Sequence, residues 1–206
     1  MKNNYYISSY CHIKNNTVRL NGNIVYHDNS ETFSEFIKNL YRAENTKYAK
    51  FFKMDNLSKL AFMAADIILK NENLNTDTDN NIALVFSNKA ASLDTDRKHQ
   101  TSIQDKQDYY PSPAVFVYTL PNICLGEISI KYKLFSENSF FIFDSFNADH
   151  LFNYSNSLLD LNKSEAVLSG WVDFDDTNYE AFLYLVSRSG GGTIHDKQNI
   201  ITLYNR

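Results

Sequence analysis

At 206 residues, 43% of them apolar, the chain can bury one sizeable core or two small ones. A net charge of -4 argues against a general nucleic-acid binder, and no apolar run approaches the roughly 20 residues of a membrane-spanning helix. Gly (6) and Pro (3) are too scarce for a turn-rich β-sandwich.

The N-terminal stretch through Tyr10 lacks the apolar core of a signal peptide, so a cytoplasmic protein is expected. Tyr5 to Ile13 reads as a strand. Thr17 to His27 reads as a hairpin, because Asn21-Gly22 supplies the positive φ angles of a type I′ turn. Phe33, Phe36, Ile37 and Leu40 recur at helical spacing behind Thr32 and Glu35, which have the spacing of a capping box. From Asp55 to Lys70 the pattern is helical and apolar almost all round, which predicts a helix covered on more than one side. Residues 71–81 form a polar loop, and Ile82 to Ser87 is a short continuous apolar run of the central-strand type. Asp96 to Ile103 is weakly helical, and a loop containing Pro111 and Pro113 follows. Phe140 to Asp144 reads as a strand, Asn147 to Leu161 as a helix, and Ala166 to Trp171 as a strand. Ala181 to Ser187 and Ile200 to Tyr204 read as two strands joined through Gly190-Gly191-Gly192. Strands alternate with helices, so an α/β layered fold is the default, with no domain linker.

Cys11 and Cys124 lack metal-ligand spacing and read as small buried hydrophobes. The carboxylates at Asp94 and Asp96, and at Asp173, Asp175 and Asp176, match no calcium loop and read as solvated loop ends. The glycine run lacks the Lys and Ser/Thr of a phosphate loop. No cofactor or metal site is read.

The segment from Tyr118 to Leu134 is more specific. Thr119, Pro121, Asn122, Gly126 and Ile130 fill a pattern T-(V/L)-P-N-x-x-x-G-x-x-x-I that resembles the β-ketoacyl-acyl carrier protein synthases of the thiolase-like superfamily. Continued without a gap, the family's nucleophilic cysteine falls on Ser145, and its Gly-Gly-x-Glu falls on Gly170 to Asp173. The helix at 56–70 resembles the family's buried helix. The match covers about residues 50–174, the N-terminal half of the family. It implies a single domain over 1–206 with a thiolase-like layered half-fold: a mixed five-stranded sheet with helices on both faces. Residues 175–206 are expected to be a short β remnant of the missing half.

The departures bear on function. Ser145 replaces the thiol, Asp144 and Phe146 replace its small neighbours, and the histidine motifs of the family's second half are absent. A serine needs a positioned general base, which a helix dipole does not replace. Of the five histidines only His99, His150 and His195 are candidates to serve Ser145, and His150 is expected to point away from it. Ser145 or Asp144 is instead expected to cap the following helix, and Trp171 to fill space that the family leaves for a substrate channel or its second half. The resemblance implies an inactive, ketosynthase-like partner subunit of fatty-acid or polyketide type. The alternatives are an acyltransferase using Ser145 as acyl acceptor and a stand-alone binding module. The strand at 140–143 is expected to join a homodimer, or a heterodimer with a full-length ketosynthase. The helix at 56–70, under-covered without the second half, is expected to favour association too. The family's acidic acyl carrier protein is a further expected partner, docking at Arg97, Lys98, Lys131 or Lys133.

Overall fold

A computed structural model describes residues 4–107, 109–188 and 191–206. The strands are β1 (Tyr6–Lys14), β2 (Thr17–Leu20), β3 (Asn23–His27), β4 (Ile82–Asn88), β5 (Asn138–Ile142), β6 (Ala166–Asp175), β7 (Asn178–Ser187) and β8 (Thr193–Ile194). They form one sheet in the order β3-β2-β1-β7-β6-β4-β5, with β8 on the first residues of β1. β4 runs parallel to both β5 and β6, whereas β7 runs antiparallel to β6 and β1. The expected five strands are the centre of this sheet, β1-β7-β6-β4-β5. Asn21 (φ 52°) and Gly22 (φ 86°) fold β3 onto β2, and β2 pairs with the free edge of β1, which adds two strands; β8 on the start of β1 makes eight.

The helices are α1 (Phe33–Ala43), α2 (Asn56–Asn71), α3 (Leu93–Ile103), α4 (Pro113–Val117), α5 (Ile123–Tyr132), α6 (Ala148–Asp160) and α7 (Lys197–Tyr204). α1, α2 and α5 share one hydrophobic core with one face of the sheet, and α6 and α7 form a second core on the other. Ile200 to Tyr204, expected as a strand, is helical in α7. Asp196 caps it by accepting the Asn199 N–H (2.7 Å), and Ile200 and Leu203, three residues apart, bury together. Gly190, expected in a hairpin connection, lies outside the described residues.

α2 begins at Asp55, whose carboxylate accepts the Ser58 N–H at 2.9 Å. Residues Leu57, Ser58 and Leu60–Leu69 are all buried, as all-round apolarity predicts. The helix is not under-covered. The sheet lies on one side, and α5 and α1 lie on others. Tyr48 stacks on Phe62 (5.0 Å between centroids) and Phe51 packs beside it (5.9 Å). This aromatic cover comes from Tyr48 and from the short 3-10 helix over Ala49–Lys53 that follows it, so the exposed apolar face expected to favour association is absent from the described residues of α2. Asp66, inside the apolar pattern, is fully buried and satisfied by Thr46 (2.6 Å), Tyr132 (2.6 Å) and Lys70 (2.5 Å).

Candidate functional site around Ser145

Parallel strands aim their carboxyl ends at one rim of a sheet, where α/β proteins tend to build their sites. β5 ends at Ile142, and Ser145 lies in the turn that leads into α6. The residue is exposed rather than at a buried helix start. The cap of α6 is Asn147, whose side-chain oxygen accepts the His150 N–H at 3.0 Å, so neither Ser145 nor Asp144 has that role. Ser145 opens onto a cleft of about 420 Å³, walled by Phe146 and by Trp171 and Asp173 of β6. Lys14, Asn15, Glu180 and Tyr204 complete it from the β1–β2 turn, β7 and α7. Phe146 stacks on Tyr204 at 4.1 Å and meets Trp171 edge-on at 6.4 Å.

Among the described residues no imidazole lines this cleft. His150 packs between Phe141 (4.3 Å) and Phe143 (4.9 Å). His99 packs on Phe116. His195, between β8 and α7, is buried against α6, with Nδ1 2.9 Å from the side-chain oxygen of Asn156, and burial lowers its pKa to about 4. His12 faces Glu180 at 2.9 Å. Burial pushes the Glu180 carboxyl up, but hydrogen bonds from His12, Lys14 (3.0 Å) and Tyr204 (2.8 Å) outweigh it and bring it down to about 2. Burial pushes the thiols of Cys11 and Cys124 up, leaving both inert.

The remaining motif residues lie elsewhere and do structural work. Thr119, Pro121 and Asn122 form the turn between α4 and α5. The Thr119 hydroxyl donates to the Phe116 carbonyl (2.7 Å), and the Thr119 carbonyl accepts from Ser92 (2.6 Å). Gly126 is inside α5 with open space around it. Gly170 sits in β6, where a side chain would meet the backbone of β7. Asp173 holds the turn after β4 by accepting the N–H groups of Lys89 (3.1 Å) and Ala90 (3.0 Å). Asp175 pairs with Arg97, and Asp94 with Lys98 (2.5 Å).

β5 is an edge strand, with Phe140 packed toward one core and Phe141 toward the other. The Glu137 carbonyl accepts from Leu84 and the Phe143 N–H donates to Asn88, both at 2.9 Å. Odd-numbered positions therefore face β4, and the backbone groups of Asn138, Phe140 and Ile142 point off the sheet. Among the described residues nothing pairs with that edge. Ile142 is 50% exposed, and Phe140, Phe141 and Phe143 are half-buried.

The whole arrangement matches solved structures. A chain of the ishigamide ketosynthase/chain length factor superposes with a TM-score of 0.62 at 15% identity, over 89% of this chain and 62% of that one. The fold is that of the ketosynthases. A chain from the ketosynthase ApeO in complex with its chain length factor ApeC, from Xenorhabdus doucetiae, gives 0.60 at 13% identity over 98% of this chain and 90% of that one. A β-ketoacyl synthase from Burkholderia phymatum gives 0.60 at 11% over 95% and 62%. This chain therefore spans about three-fifths of the length of the first and third, and nearly all of the second. No family model matches the sequence, and no curated protein does.

Proposed function

We propose that this chain is a non-catalytic, ketosynthase-like subunit that pairs through β5 with a full-length ketosynthase in fatty-acid or polyketide-type biosynthesis in the cytoplasm. The observation that carries this reading is the open edge of β5, with outward backbone groups at Asn138, Phe140 and Ile142 and half-exposed aromatic neighbours. An edge of that kind is an aggregation hazard unless a partner strand covers it. The similar chain of nearly equal length comes from a complex of a ketosynthase with its chain length factor, which supports the same partner class. Residues 1–206 then act as one unit of the N-terminal-half type, with β7 and α7 packed into the same sheet and core. Ser145 occupies the position of the family's cysteine. Among the described residues no imidazole lines its cleft, and its hydroxyl makes no hydrogen bond to the cleft carboxylates Asp173 and Glu180, which are held by other partners, so no base is positioned on it.

The test is pairing. The Ile142 N–H points off the sheet, so Ile142→Pro removes no bond to β4 but blocks a partner strand. Size-exclusion chromatography with light scattering should show a 1:1 complex of the chain with a full-length ketosynthase and loss of that complex in Ile142→Pro, with circular dichroism unchanged. A variant that still pairs like the parent refutes the β5 interface. Malonyl-carrier condensation by the isolated chain that disappears in Ser145→Ala refutes the non-catalytic role and favours the acyltransferase reading.

A further inference from the structure

We propose a second site, for an oxyanion, on the sheet face beside the end of α7. The registers place Arg19 opposite His12 across β1–β2, and Glu180 opposite Lys14 across β1–β7. Cross-strand partners share a face, as do alternate residues of one strand, so these four side chains emerge together. Tyr204 closes one side, its ring parallel to that of His12 at 5.9 Å. Beyond it the sheet is open as a pocket of about 380 Å³, lined by these residues with Arg206.

The charge in this pocket is unbalanced. Among the described residues Glu180 is its only side-chain carboxylate, and it already accepts from His12, Lys14 and Tyr204. Arg19 is half-buried and, among the described residues, its guanidinium makes no hydrogen bond or ion pair. A planar guanidinium fork matches two oxygens of a phosphate or carboxylate, and Lys14 beside it adds a point charge. The pocket shares Lys14, Asn15, Glu180 and Tyr204 with the Ser145 cleft. An anionic head on Arg19 can therefore carry an uncharged chain past Tyr204 toward Ser145. The ligand class is a phosphate- or carboxylate-headed molecule with a short neutral tail.

Inorganic phosphate and acetate are the probes, added to the full chain at ionic strength matched with chloride and read by thermal midpoint. Phosphate at ten times its dissociation constant should raise the midpoint by about 3–5 °C. Arg19→Gln should abolish the shift, Arg19→Lys should weaken binding about tenfold, and Arg97→Gln, outside the pocket, should keep it. A shift with phosphate alone assigns a phosphate head, and a shift with both probes an oxyanion of either kind. No shift beyond chloride, or an equal shift in Arg19→Gln, overturns the site. Ile142→Pro leaves this pocket intact, so loss of partner pairing and loss of anion binding are separate results.

Discussion

Gly170 and Gly126 belong to one sequence pattern, yet the structure gives them opposite sensitivities. A Cβ on Gly170 would lie 2.0 Å from the Phe182 carbonyl oxygen and 2.9 Å from the Leu183 Cα, with φ at +154°. Backbone cannot retreat there without breaking the β6–β7 ladder. Gly170→Ala is therefore expected to cost about 3–5 kcal/mol. A Cβ on Gly126 meets nothing within 4 Å inside a helix, so Gly126→Ala is expected to stabilise by up to about 1 kcal/mol. Urea midpoints of the two variants check both signs. At this scale the sequence shows which positions match a pattern but not what each touches. Ser145 was legible as a strand-to-helix junction because an apolar run stops there and a helical period begins. Its neighbours Lys14, Glu180 and Tyr204 were not, because they come from distant strands and a helix that no local pattern links to it.

Elements with strong periodicity were legible, and those whose identity depends on packing were not. The hairpin at Asn21-Gly22 and the capping of α1 by Thr32, which accepts the Glu35 N–H at 3.2 Å, follow from local chemistry alone. The period of α5 does not single it out, and the four apolar residues of α7 fit a strand as well as a helix. α7 is held through Tyr204 to Glu180, and the segment leading into it through His195 to Asn156. This attachment is acid-sensitive in two stages. Burial depresses His195 to about 4, below the ordinary ~6.5, so the unfolded chain binds its proton first and stability falls as pH drops from about 6.5 to 4. Glu180, held at about 2 against its usual 4.5, contributes stability that is full above about 4.5 and is lost as pH falls toward 2. Each stage is worth up to about 3 kcal/mol. Urea midpoints measured from pH 7 to pH 2 should show the upper limb flattened in His195→Gln and the lower limb flattened in Glu180→Gln.

For the whole molecule, the distribution of charge says more than its net value. The chain carries -4, yet Lys38, Arg42, Lys47, Lys50 and Lys53 stand against Glu44 alone between residues 38 and 53. All five are exposed, and among the described residues none is in an ion pair. Phe52, 53% exposed, lies within the same segment. The basic residues first expected to dock a carrier are less available. Arg97 and Lys98 are paired with Asp175 and Asp94, and Lys131 and Lys133 donate to the carbonyls of Lys47 and Asp77. If an acidic carrier protein meets this chain, the segment from Lys38 to Lys53 is where Coulomb attraction favours it, with Phe52 as an apolar contact. The double variant Lys50→Glu/Lys53→Glu should then lower carrier affinity at least about tenfold in isothermal titration. The affinity of the parent chain should fall as salt rises from about 0.05 to 0.5 M, because screening shortens the reach of exposed charges. Pairing through β5 should persist in the same double variant, since that edge rests on backbone groups and aromatic contacts. Carrier binding that is indifferent to both the variant and the salt would remove the basic segment from the docking surface and leave the proposed β5 edge as the remaining candidate partner face.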